Sequence, residues 1–279
     1  MLILRAMTPI RRPALLALSA LLAVLLPGVA ARATSQDEVL AASVLTGWTT
    51  PEGTHMAALR LDLAPGWKTY WRSPGDAGIP PQFDWSGSVN VKAVRLHWPA
   101  PSVFVTNGIQ TIGYRNQLIL PVELVPGDPS QPMRLAAEVD LGICQEICLP
   151  ASLDLAAGID GPGAPDALIQ GALKKQPRSG AEAGLTSITC HVEPIADGLR
   201  LTATIALPGQ GKGETVAFET GDPSVWVSEA TASRKGGVLT AVTELVPPSG
   251  QPFALDRSGV TVTVISDKGA VEMRGCPGA

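Results

Sequence analysis

Apolar residues recur at every second position in short runs along most of this chain, and that period restricts it to β-structure. The clearest run is Leu199, Leu201, Ala203, Ile205 and Leu207, interleaved with Arg200, Thr202 and Thr204. Successive side chains of a strand leave opposite faces, so each such run buries one face and wets the other. Leu59, Leu61 and Leu63 alternate in the same way with Arg60 and Asp62. Twenty-nine glycines and 25 prolines punctuate the runs, which suits many short strands and turns better than long helices. Hydrophobic residues make up 45% of the chain and charged ones 16%, so a packed core is available and global disorder is excluded. A net charge of -4 leaves no basic footprint, which argues against nucleic acid as a partner.

Residues 1–33 read as an export signal rather than as part of the fold. Arg5, Arg11 and Arg12 form a positive start, Pro13 to Leu26 is apolar, and Ala31-Arg32-Ala33 supplies a cleavage site. The apolar run is too short for an ordinary membrane span, and no later stretch is long enough. The expectation is an exported chain starting near Thr34 that does not itself span a membrane.

From Val39 to Leu63 the pattern is strand, turn, strand. Pro65-Gly66 then introduces the aromatic group Trp67, Tyr70 and Trp71, and Ser73 to Pro81 is loop. Val89 to Trp98 reads as a strand. Ser102 to Gly113 has no clean period and reads as a surface loop with one exposed aromatic, Phe104. Leu118 to Leu124 alternates as a strand, and Pro121 within it suggests an edge or a bulge. Up to Leu155 this gives about seven strands and no helix, the pattern of an antiparallel sandwich occupying residues 34–157. Residues 158–184 form a Gly/Pro-rich linker with a short helix at Asp166 to Lys175, stopped by Pro177. Residues 185–279 read as a second, smaller sandwich. The fold class is all-β, with two tandem antiparallel β-sandwiches.

The four cysteines fall into two physically different pairs. Cys144 and Cys148 flank a short break between two alternating runs, Leu135 to Leu141 and Leu153 to Leu155, which places them at the mouth of one hairpin. Cys190 and Cys276 remain as the second pair, tying the first strand of the second unit to a point just past its last. In the chain-entropy view, closing that loop of about 86 residues is worth roughly 4.6 kcal/mol, and closing one of about four under ~2. Cys190–Cys276 is therefore a structural staple, and stability is a weak reason for Cys144–Cys148 to exist.

Three readings of Cys144 and Cys148 remain open on the residues alone: a redox pair, a structural hairpin disulfide, and a thiol metal site. Glu146 and Asp140 nearby are acidic and oppose thiolate formation, and no helix N-terminus is at hand to favour it. His55, His97 and His191 stand outside usual ligand spacing of the hairpin, and the five methionines do not cluster, so no metal or other cofactor is assigned. No GxSxG, HExxH or phosphate-loop motif is present, which leaves hydrolase chemistry unsupported.

Gly66-Trp67-Lys68-Thr69-Tyr70-Trp71, Phe104 ahead of Tyr114-Arg115, Leu118-Ile119-Leu120-Pro121-Val122, and Cys144-Gln145-Glu146-Ile147-Cys148-Leu149-Pro150 follow one another in that order. Over roughly residues 38 to 157 this resembles the N-terminal periplasmic domain of the thiol:disulfide interchange protein DsbD. It is nearer the variant found in the suppressor-of-copper-sensitivity protein ScsB. The resemblance implies an immunoglobulin-like sandwich in the periplasm and a protein-disulfide reductase activity, with a link to copper tolerance. Cys144 and Cys148 match the redox pair, Phe104 falls at a cap-loop phenylalanine, and Tyr70, Trp71 and Tyr114 fall along the lining. Cys148 matches the cysteine that forms the mixed disulfide. The implied partners are a membrane-embedded electron donor of DsbD/CcdA type and periplasmic thioredoxin-fold or disulfide-bonded substrates. DsbD itself has a longer gap between its cysteines. The present sequence shows neither a membrane domain nor a thioredoxin-like domain, so a separate protein is expected to supply electrons. The rival reading is a non-enzymatic β-sandwich adaptor with two structural disulfides, or a periplasmic copper-binding protein.

Overall fold

The computed structural model describes residues 35–278; the export signal expected at residues 1–33 lies outside them. A single helical turn, α1 (Gln36–Val39), leads into ten strands. These are β1 (Leu40–Thr49), β2 (His55–Leu63), β3 (Lys68–Tyr70), β4 (Gln82–Asp84), β5 (Val91–Leu96), β6 (Ser102–Thr106), β7 (Ile109–Arg115), β8 (Gln117–Pro126), β9 (Met133–Cys144) and β10 (Cys148–Ile159). One sheet runs β1-β2-β8-β5 and the facing one β10-β9-β3-β7-β6, with β4 also paired to β9. Every pairing among them is antiparallel. The period-2 runs close the core between the sheets: Leu59, Leu61 and Leu120 from one, Val139, Leu141 and Ile143 from the other.

The outer face of β2 and β8 is also covered, which explains why β2 is buried along nearly its whole length. Helix α2 (Ala167–Leu173) lays Ile169 and Ala172 onto Met56, Ala58 and Ile119. Its start is fixed by Asp166, whose carboxylate accepts from the amides of Leu168 and Ile169 at 2.7 and 3.1 Å.

Nine further strands follow: β11 (Arg178–Ser179), β12 (Ser187–Pro194), β13 (Leu199–Ala206), β14 (Thr215–Glu219), β15 (Trp226–Val227), β16 (Thr231–Lys235), β17 (Val238–Val246), β18 (Thr261–Ser266) and β19 (Gly269–Arg274). They form the sheets β11-β19-β18-β14 and β12-β13-β17-β15, with β16 also on β17. Leu201, Ile205, Val262 and Val264 fill the space between them. The disulfide Cys190–Cys276 joins β12 to the segment after β19, and both its cysteines are buried.

Two expectations are corrected. Ser102–Gly113 is not a loop but the hairpin β6–β7. Its turn is Asn107-Gly108, both with positive φ (53° and 81°), the mirror-image turn whose twist matches paired strands. Pro121 is neither at an edge nor at a bulge: β8 sits between β2 and β5, and its register with β2 is unbroken. The proline is tolerated because β5 stops at Leu96, so no ladder bond is asked of its nitrogen there. Its carbonyl still accepts from the His97 amide at 2.9 Å.

The first and second pairs of sheets meet at Arg72, just past β3. Its guanidinium donates to both carboxylate oxygens of Glu219 at 2.7 and 2.9 Å and to Glu272 at 2.6 Å. It also stacks on the Trp71 ring at 4.6 Å. Ala217, Ile265 and Ala270 of the second pair pack into the first core beside it. Removing this cation takes the shared partner from two carboxylates about a fifth exposed, and leaves Glu272 with only the exposed Arg274. Arg72→Met should therefore cost about 2 kcal/mol, less than a fully buried pair would. Urea unfolding followed by tryptophan fluorescence checks it, with Arg72→Lys recovering only part because it lacks the planar fork.

Candidate functional site: a hairpin disulfide under a tyrosine hydroxyl

The β9–β10 register sets Cys144 directly opposite Cys148, with their Cα atoms 4.1 Å apart, and the two form a disulfide. The three-residue turn between them closes with a bond from the Gln145 amide to the Ile147 carbonyl at 3.1 Å. Odd-numbered residues of β9, from Leu135 to Ile143, face the core, so Cys144 leaves the outer face of the sheet. It is nevertheless only 2% exposed, whereas Cys148 is open to solvent. The two sulfurs are thus chemically unequal in access.

What buries Cys144 comes from the neighbouring strand β3, whose alternation splits its residues cleanly. The flanking Trp67 and Trp71 turn into the core, while Lys68 and Tyr70 of the strand share the outer face with the disulfide. The Tyr70 hydroxyl donates to Cys144 Sγ at 2.9 Å and lies 3.4 Å from Cys148 Sγ. Burial pushes the Tyr70 phenol above its usual pKa, which keeps it a proton donor at neutral pH. Gly142, two residues before Cys144 on the same face, makes the room: a β-carbon there would lie 3.0 Å from Tyr70 Cε2 and 2.8 Å from Ile79 Cβ.

Lys68 completes this face. It stands opposite Cys144 across β3–β9 and opposite Arg115 across β3–β7. Its ammonium donates to Thr111 Oγ1 at 2.8 Å and lies 5.5 Å from the Phe104 ring centroid and 5.9 Å from that of Tyr70. Arg115 stacks on Phe104 at 4.7 Å. Burial, and secondarily the charge of Arg115, pull the Lys68 ammonium below its usual pKa.

Of the expected lining residues, Tyr70 touches both sulfurs, and Phe104 is half-buried on the same outer face, two strands away on β6. Trp71 and Tyr114 are corrected: both belong to the core on the other face of the sheet. The Tyr114 hydroxyl donates to the Pro99 carbonyl at 2.7 Å, and its ring stacks on Trp98. Strand parity separates them from Tyr70 and Phe104, since each is an odd number of positions from a residue on the outer face. Of the two expected acidic neighbours, Glu146 stands exposed in the turn between the cysteines, and Asp140 is set apart. Asp140 is four residues down β9, some 13 Å at strand rise, where it accepts from Ser152. The cation within the site, Lys68, went unremarked in the sequence, although its two-residue spacing from Tyr70 already put it on the same face.

This geometry has a direct chemical consequence. An attacking thiolate reaches Cys148, and the leaving sulfur is then Cys144, which departs next to a phenol already pointed at it.

Comparison with known proteins agrees. Residues 36–157 match the profile of the family described as "Thiol:disulfide interchange protein DsbD, N-terminal". That match supports a thiol:disulfide interchange module over those residues, as their motifs suggested. The crystal structure of the N-terminal periplasmic domain of ScsB from Proteus mirabilis superposes with a TM-score of 0.67 at 24% identity, covering 88% of this chain and 96% of that one. The likeness therefore extends past the matched module and shows a common fold across both pairs of sheets. None of the curated proteins compared with the chain matches it.

Two outcomes follow from the unequal sulfurs. After mild reduction, iodoacetamide should modify Cys148 on the order of tenfold faster than Cys144, as peptide mass spectrometry will show. Tyr70→Phe should slow opening of the disulfide by dithiothreitol about tenfold, because a hydrogen bond to a developing thiolate is lost; stopped-flow quenching measures it.

Proposed function

We propose that the protein is a periplasmic thiol:disulfide oxidoreductase that passes electrons to disulfide-bonded proteins through Cys144 and Cys148. The observation that carries this reading is the pairing of one exposed sulfur with one buried under a hydrogen-bond donor. A purely structural hairpin bridge needs neither an open sulfur nor a phenol aimed at its partner. The fold agrees, since a neighbour of this architecture is described as periplasmic. The export signal read at residues 1–33 agrees with it too. Residues 34–157 carry the exchange site, 158–184 the connection, and 185–279 the second sandwich.

In the reductive direction the Cys148 thiolate attacks a substrate disulfide, forming a mixed disulfide and expelling one substrate thiolate. Cys144 then attacks Cys148 Sγ, which closes the intramolecular bond and releases the second substrate thiolate. Two electrons move from the dithiol to the substrate, and a reductant has to restore the pair. No helix among the described residues is long and apolar enough to cross a membrane. A membrane-embedded protein of the DsbD/CcdA type is the donor we assign, and thioredoxin-fold or other disulfide-bonded periplasmic proteins are the acceptors.

Cys144→Ala should trap mixed disulfides on Cys148 that reductant dissolves, and the wild-type pair should equilibrate with glutathione or thioredoxin couples. A potential below about -300 mV, in the range of structural disulfides, together with no trapped protein would refute the proposal.

A further inference from the structure

We infer that Lys68 is the counter-charge that holds Cys144 as a thiolate whenever the disulfide is open. The inference rests on the redox reading of the pair and adds to it the electrostatic partner of the buried sulfur.

Lys68 is only 6% exposed, and a buried ammonium is costly unless an anion faces it. Among the described residues no carboxylate forms an ion pair with it. What it has instead is one hydroxyl, Thr111 Oγ1, and the faces of Phe104 and Tyr70. Those contacts orient a cation without neutralising it. The charge acting on it, from Arg115 on β7, has the same sign and makes the deficit worse. A site built this way lacks a negative charge while the disulfide is closed.

Chemistry supplies that charge. Lys68 faces Cys144 as a direct cross-strand pair, so the two side chains rise from the same patch of sheet. The titratable groups around this patch are Lys68 and Tyr70 from β3, Arg115 from β7, Cys144 from β9, Cys148 from β10 and, exposed in the turn between the two cysteines, Glu146. When an external thiolate attacks Cys148 Sγ, the S–S bond breaks and its electron pair leaves on Cys144 Sγ. Burial alone would drive that sulfur to take up a proton and stop acting as a nucleophile. Tyr70 offers one hydrogen bond and Lys68 the opposite charge. Together they keep Cys144 ionised for the resolving step, in which its electron pair re-forms the bond to Cys148 and the partner departs as thiolate.

A different role is available to Lys68: a strut that holds the β6–β7 hairpin down through Thr111 and Phe104. The two roles predict opposite signs. Loss of a strut opens the hairpin, hydrates Cys144 and lowers its pKa, whereas loss of a counter-charge raises it. The experiment uses the full chain carrying Cys148→Ala, in which Cys144 is the free thiol and Cys190–Cys276 stays closed. Its ionisation is followed by ultraviolet thiolate absorbance against pH. Adding Lys68→Met should raise the Cys144 pKa by at least about one unit, and Lys68→Arg should restore most of it. Phe104→Ala, which loosens the hairpin and keeps the charge, should leave the pKa unchanged or lower it. If Lys68→Met does not fold, Lys68→Gln keeps a donor for Thr111 and should give the same upward shift. An unchanged or lowered pKa in the neutral variant overturns the inference. Because the titration involves no exchange partner, it stands or falls apart from the relay itself: partners trapped on Cys148 with no shift at Cys144 refute only the role of Lys68.

Discussion

The whole site hangs on the alternation of one very short strand. β3 has three residues, yet it lies between β9 and β7 and is paired on both sides. The tryptophans that flank it, Trp67 and Trp71, turn into the core, and that burial fixes its rotation. Its outward side then has no freedom left: Lys68 and Tyr70 must stand over the disulfide, and Arg72, next in that series, reaches the carboxylates of the second pair of sheets. The strand can approach β7 this closely because Gly113 opposes Tyr70, where a β-carbon would overlap the Thr69 carbonyl. The hydrophobic effect sets the strand, and the strand's period sets the chemistry.

Much of this was legible from residue order. Period-2 runs such as Leu199 to Leu207 located the strands, because burial of one face leaves its mark on every second residue. The cysteine hairpin was legible for the same reason, since alternation resumes on each side of Cys144 and Cys148. What escaped was what depends on partners distant in sequence. Ser102–Gly113 looked irregular because β6 is an edge strand, with Val105 and Ile109 exposed beside the turn. The Asn107-Gly108 pair nevertheless carried a hairpin signal. Pro121 misled because the end of β5, which excuses its missing donor, is encoded some 25 residues upstream. Trp71 and Tyr114 were grouped with Tyr70 through the family resemblance, whereas parity divides them from it.

The two disulfides differ in what they contribute to the fold. Cys190–Cys276 spans 86 residues, is buried at both ends, and joins β12 of one sheet to the segment that follows β19 of the other. Its contribution is to the fold, and the surrounding backbone reinforces it: the Cys190 amide bonds to Pro277 and the Cys276 amide to Arg257.

Under the proposed function Cys144–Cys148 answers a different requirement: the chain has to stay folded with this bond closed and with it open. The bond spans four residues and closes the end of a ladder of 12 residue pairs, running from Cys148↔Cys144 to Ile159↔Met133. Opening it removes little chain-entropy stabilisation, because that ladder and the core beneath Val139, Leu141 and Ile143 already fix the strands. This bond therefore sits where breaking it costs the fold little and where one sulfur can still be met from outside. Low structural worth, legible from spacing alone, is what would let the bond be broken and remade under the proposed function.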